Sequence, residues 1–118
     1  MLVFVAVGKE ADVKEGRVKT VHVLTGEAIV LTRVDGKIHA FTNTCPHMHG
    51  PLGEGEIAKG VVTCPLHGAK FDVRTGKNMG ATFGGQQVGP IKTFPVNVEN
   101  GMVWVEIENG IASVDAGS

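Results

Sequence analysis

Residues 43–76 read NTCPHMHGPLGEGEIAKGVVTCPLHGAKFDVRTG, and this stretch decides the architecture. It holds both cysteines of the chain, three of its five histidines and six of its 17 glycines. Cys45-Pro46-His47 stands near its start, and Cys64-Pro65-Leu66-His67-Gly68 follows after a gap of sixteen residues. Such content differs in kind from the flanking sequence, so residues 43–76 read as a loop-built insert. The strands on either side of it then form a base with one continuous core made from sequence-distant halves.

The flanks support that division. Leu2 to Val7, Val18 to Leu24, Glu27 to Val34 and Lys37 to Thr42 are β-rich runs separated by glycine-containing breaks. Asp35-Gly36 and Asn100-Gly101 carry the residues that a two-residue hairpin turn requires at positive φ. In the last strand Val103, Val105 and Ile107 share one face, with Met102, Trp104 and Glu106 on the other. Phe94, Val96 and Val98 alternate in the same way with Thr93, Pro95 and Asn97, and Pro95 suits a place where no ladder hydrogen bond is needed. The one helical turn expected lies near Lys9 to Lys14, too short to stand by itself. The expectation is one all-β domain over residues 1–118 with many tight turns.

Composition excludes several function classes. The chain has 118 residues with 11 Lys plus Arg against 12 Asp plus Glu, and its formal charge of −1 leaves no electrostatic footprint for nucleic acid or an anionic membrane. No Lys or Arg follows Lys92, and a solvated face accounts for the acidic end. Leu2 to Val7 is too short to span a bilayer and has no basic flank before it. With no secretory signal visible, the cytoplasm is the expected compartment.

Four readings compete for Cys45 and Cys64: inert core residues, a disulfide, a zinc site or an iron-sulfur site. The first two leave the paired histidines unexplained, and a reducing cytosol disfavours the disulfide. Zinc fingers usually pair Cys with Cys and His with His across short loops, whereas each loop here supplies one of each. Mixed pairs suit a two-iron centre better: with Cys45 and Cys64 on one iron and His47 and His67 on the other, the set is the His₂Cys₂ form of a 2Fe-2S cluster. A structural zinc module serving protein interaction stays open as the alternative.

Those two loops resemble the cluster-binding loops of Rieske iron-sulfur proteins. The similarity extends to Asp35-Gly36-Lys37-Ile38-His39-Ala40-Phe41, to Pro51-Leu52-Gly53-Glu54-Gly55, to Phe71-Asp72-Val73-Arg74-Thr75-Gly76, and to Pro90 through Val96 with the final strand. All of these resemble Rieske-type ferredoxins, and the likeness covers nearly the whole chain. It implies an antiparallel β-sandwich or barrel-like base with a cluster-binding subdomain at about 43–76. It also implies one 2Fe-2S cluster per chain, with Cys45 and Cys64 on the inner iron and His47 and His67 on an outer iron near solvent.

The function implied is that of an electron carrier, not an enzyme. A flavin-containing NAD(P)H reductase would be the donor, a terminal aromatic-ring-hydroxylating oxygenase or similar oxidoreductase the acceptor, and the isolated chain a monomer. The alternative within the family is the small Rieske subunit of an NAD(P)H nitrite reductase. High-potential respiratory Rieske proteins place a Ser and a Tyr after the second loop, where this chain has Ala69 and Phe71, and a low potential of about −150 to 0 mV is expected. They also form a disulfide between extra loop cysteines, where Gly50 and Leu66 stand here.

The remaining features are read as structural. His49 stands where the family pattern has Gly and is taken as a solvent-facing loop residue, while residues 78–89 form a longer connection than usual. His22 and His39 lie in expected strands without partnering acids or nucleophiles. Met48, Leu66 and Trp104 are read as packing residues, with Met48 and Leu66 shielding the cluster. Gly53-x-Gly55-x-x-Ala58 meets a loose dinucleotide fingerprint but lacks the strand-turn-helix context.

Overall fold

Ala28-Ile29-Val30-Leu31 contains no polar residue, which in a strand means that both faces are buried. The computed structural model, which describes residues 2–45, 51–65, 68–79, 82–83, 86–87 and 89–108, places this run at the middle of the molecule. Strand β1 spans Leu2–Lys9, β2 Val18–His22, β3 Ala28–Val34 and β4 Lys37–Thr42. Strands β5 (Glu56–Ala58), β6 (Val61–Thr63) and β7 (Lys70–Asp72) follow, then a two-residue pair, β8 (Thr82–Phe83) and β9 (Gln86–Gln87). The chain returns to the base through β10 (Thr93–Phe94), β11 (Val96–Glu99) and β12 (Met102–Glu108). Apart from two short 3-10 turns, Glu10–Asp12 and Leu52–Glu54, the described elements are all strands.

The strands form antiparallel sheets in the orders β1-β12-β11, β10-β4-β3-β2 and β5-β6-β7, with β8-β9 separate. Two cores result, one on each face of the middle sheet. Ile29, Leu31, Ile38 and Ala40 pack with Val103, Val105 and Ile107 of β12 and with Val3 and Val5 of β1. Val30, Val34 and Phe41, one residue out of phase, enter a second core with Leu52, Val62, Phe71, Val73 and Ile91. The period of two along β3 and β4 thus divides one apolar run between two cores.

The hairpin turns follow the sequence reading: Asp35 and Gly36 have φ of 51° and 82°, Asn100 and Gly101 of 52° and 76°. Pro95 separates β10, which pairs with β4, from β11, which pairs with β12. A residue with no N–H sits where the chain changes sheets. The helical turn near Lys9 to Lys14 is the single 3-10 turn Glu10–Asp12, held by Arg33, whose Nε and Nη2 donate to the Val13 and Glu10 carbonyls at 2.8 and 2.9 Å.

One expectation needs correction. Residues 43–76 are not built from loops alone, because β5, β6 and β7 make a three-stranded sheet within them. The β5–β6 turn is Lys59-Gly60, with Lys59 at φ 51°, a residue type that gives no turn signal. Along the run of Phe94, Val96 and Val98 burial falls off, with Phe94 5% exposed and Val98 38%. Strand β11 is the edge of its sheet. Among the described residues no helix is long and apolar enough to cross a membrane.

Candidate metal centre

Each cysteine stands at the mouth of a loop whose ends are tied by main-chain hydrogen bonds. Cys45 follows the end of β4, where the Leu52 N–H donates to the Asn43 carbonyl at 2.7 Å and Thr44 bridges to Pro51. Cys64 follows β6, its N–H donating to the Ala69 carbonyl at 2.7 Å and its carbonyl accepting from Gly68 N–H at 3.0 Å. Strands β6 and β7 therefore form a hairpin that carries the second loop at its tip. The chain just beyond the first loop packs against the base of the second, since a Cβ on Gly55 would run into the Thr63 carbonyl. Only glycine permits that approach.

Both cysteines are 1% exposed and belong to one apolar core with Val30, Phe41, Leu52, Val62, Ala69 and Phe71. They are free, not joined as a disulfide. A thiolate in such surroundings is stable only when a cation compensates its charge, so a metal-bound role fits this placement. His47 and His67, the expected imidazole ligands, lie outside the described residues, as do Met48, His49 and Leu66. The structure thus brings together the cysteine half of the expected set.

Ala69 and Phe71 are 8% and 0% exposed, so neither side chain offers a hydroxyl to this core. Beyond β7, the Asp72 carboxylate accepts from the Arg74 main-chain N–H at 2.8 Å and from its Nε at 3.1 Å. Hydrogen bonding to Arg74 holds the Asp72 carboxyl below the usual carboxylate range. His39 of β4 lines a groove with Lys37, Val73 and Arg74. Its pKa is lowered first by burial and then by the Lys37 and Arg74 charges. His39 and His22 both lie in strands, as expected. The glycines at 53 and 55 precede strand β5, not a helix, which removes the dinucleotide reading.

Residues 3–95 match the Rieske 2Fe-2S domain. The chain belongs to the Rieske family. It is 37% identical over 97 residues to the ferredoxin component of the naphthalene 1,2-dioxygenase/salicylate 5-hydroxylase systems of a Ralstonia species, a match covering 82% of this chain and 88% of the relative. It is 38% identical over 87 residues to the biphenyl 2,3-dioxygenase ferredoxin component of Rhodococcus jostii, covering 74% and 78% of the two chains. Both relatives are ferredoxin components, carriers of electrons rather than catalytic enzymes.

The solved structures agree. The Sphingomonas yanoikuyae B1 ferredoxin superposes with a TM-score of 0.78 at 31% identity, over 90% of this chain and 100% of that one. A chain from the complex of reduced oxygenase and oxidized ferredoxin in carbazole 1,9a-dioxygenase gives 0.76 at 29%, over 87% and 92%. The family match supports a 2Fe-2S cluster as the group this domain holds. Sequence reasoning missed the Asn43 and Gly53 contacts that tie the first loop, for which no motif or spacing gives a signal.

Proposed function

We propose that this chain is a one-electron carrier that takes electrons from a flavin-containing NAD(P)H reductase and delivers them to a terminal oxygenase. The observation that carries this reading is the pair of buried cysteines, one at the mouth of each tied loop, in a single apolar core. Cys45 and Cys64 would hold one iron of a single 2Fe-2S cluster and His47 and His67 the other. Bound there, the cluster supplies reversible one-electron chemistry between its ferric and mixed-valence states. The chain's own part is to exclude water with Leu52, Val62 and Phe71 and to keep the two loops in register through β6 and β7.

The named systems of the relatives support an oxygenase as acceptor and, with it, an aromatic-ring-hydroxylating pathway. With a donor that draws on NAD(P)H, the carrier would work in the cytoplasm. The whole chain acts as one Rieske domain, with residues 43–76 as its cluster-binding part, and exchanges between partners as a monomer. The test is the iron and acid-labile sulfide content of protein purified without added metal, with visible spectra before and after dithionite. About two irons and two sulfides per chain and a colour that bleaches on reduction are expected. A colourless protein holding one zinc would defeat the proposal.

A further inference from the structure

Asn43 is the point at which the first loop leaves the base, and it makes three bonds there. Its main-chain N–H donates to the Ala28 carbonyl of β3 at 3.1 Å, and its carbonyl accepts from Leu52 N–H at 2.7 Å. Its side-chain Oδ1 accepts from Gly53 N–H at 2.7 Å. One residue thus grips two successive amides on the far side of the loop that begins with Cys45. Gly53 is held from behind as well: a Cβ there would lie 2.8 Å from Asn43 Oδ1 and 3.3 Å from Val30, and would run into Thr20 Oγ1 of β2. Leu52, between the two gripped amides, is fully buried in the cysteine core.

We propose that Asn43 is a positioning residue for the first cysteine-histidine loop, locking its start to its end through the side-chain bond to Gly53. The inference rests on the Rieske reading of that loop. Any residue at position 43 keeps the main-chain bond to Leu52, whereas only a short side chain with an acceptor at Oδ1 can also reach Gly53. Without it the Gly53 N–H loses its partner in a half-buried site, and the Cys45 and His47 half of the ligand set gains slack. Strands β1 and β12 take no part in the lock, so the base remains folded when it is broken.

The experiment compares the holoprotein with Asn43→Leu, which keeps the branching but lacks the acceptor, and Asn43→Asp, which keeps the acceptor. Three quantities are read: the rate at which an iron chelator bleaches the oxidised protein, the width of the reduced-state EPR signal, and hydrogen exchange at the Gly53 amide. Asn43→Leu is expected to lose colour and exchange Gly53 about tenfold faster than wild type, with a broadened EPR signal. Asn43→Asp is expected to stay within about twofold of wild type on both rates with the narrow signal restored. Equal rates for wild type and Asn43→Leu, or an Asp variant as impaired as Leu, would overturn the proposal. If the wild type carries no iron, the Rieske reading fails by itself. Gly53 exchange then decides the lock: faster in Leu but not in Asp supports it, and no change refutes it.

Discussion

The two cores on either face of the middle sheet are built differently. The base core is closed by long strands, β1, β3 and β12, whose alternate Val, Ile and Leu residues interdigitate. The cysteine core is closed on its far side by β5, β6 and β7, three residues each, and counts two cysteines and an alanine among its buried members. A core of alternating β-branched residues is held by its own burial. One whose walls are short strands and tied loops would, on the function proposed above, depend on what its cysteines hold, as metal-coupled folding generally does. The first is a scaffold and the second a holder.

That contrast predicts opposite outcomes for substitutions one layer apart, and the largest effect falls on the holder. Cys64→Ser is expected to abolish the visible colour and bound iron while leaving the base folded, as near-ultraviolet signal from Trp104 reports. Retention of a full complement of iron would break the comparison. Leu31→Ala, on the base side of β3, should cost about 2–5 kcal/mol of unfolding free energy in denaturant titration. It should leave the visible spectrum of the folded protein unchanged, and a changed spectrum would show that the two cores are not separate.

Removing the metal sharpens the same point. Amides of β6 and β7 should exchange roughly tenfold to a hundredfold faster in the apoprotein, while those of β3 and β12 keep their protection. Uniform acceleration through all strands would mean that the base, too, needs the bound group.

Ala69 and Phe71 set a smaller effect. With no hydroxyl on the side chains at 69 and 71, the wild-type potential is expected at about −150 to 0 mV. Hydroxyls restored by Ala69→Ser with Phe71→Tyr would favour the more negative reduced form. Each hydrogen bond worth about 1.4 kcal/mol would raise a one-electron potential by about 59 mV. Voltammetry that finds the wild type above about +100 mV, or no rise in the double variant, would contradict this account.

The smallest expected effect is on pH dependence and comes from the groove between the two layers. His39 has a pKa below its ordinary 6.5 in the folded protein, so the unfolded chain takes up its proton first as pH falls. His39 therefore leaves stability unaffected above that value and lowers it as the pH drops from 6.5 towards the folded pKa. Asp72, whose carboxyl is held low by Arg74, adds stability above its ordinary 3.8 that is lost as the pH falls through its folded value. Unfolding of His39→Gln measured across this range should show a shallower decline just below 6.5 than wild type, and parallel curves would remove His39 from the explanation.

The sequence made the scaffold readable because its signals are local. The bounds of β4 and the Asp35-Gly36 and Asn100-Gly101 turns follow from alternation and from residues that accept positive φ. Pro95 marked a break in the ladder, although only the structure shows that the chain there crosses from one sheet to another. The holder was readable in its chemistry but not in its form. Cys45 and Cys64 stand out by type and spacing, whereas a three-residue strand carries too little periodicity to be recognised and Lys59 is not a customary turn residue. The roles of Gly53 and Gly55 depend on Thr20, Asn43 and Thr63, contacts between distant segments that no local pattern encodes.

The central claim is that two imidazoles, from His47 and His67, complete the set begun by Cys45 and Cys64. Electron spin echo spectroscopy of the dithionite-reduced protein, prepared with nitrogen-15 histidine, tests it most directly. Two strongly coupled histidine nitrogens, one lost in His47→Cys and the other in His67→Cys, are the predicted result. A reduced cluster with no coupled histidine nitrogen, or with couplings unchanged in both variants, would contradict the account.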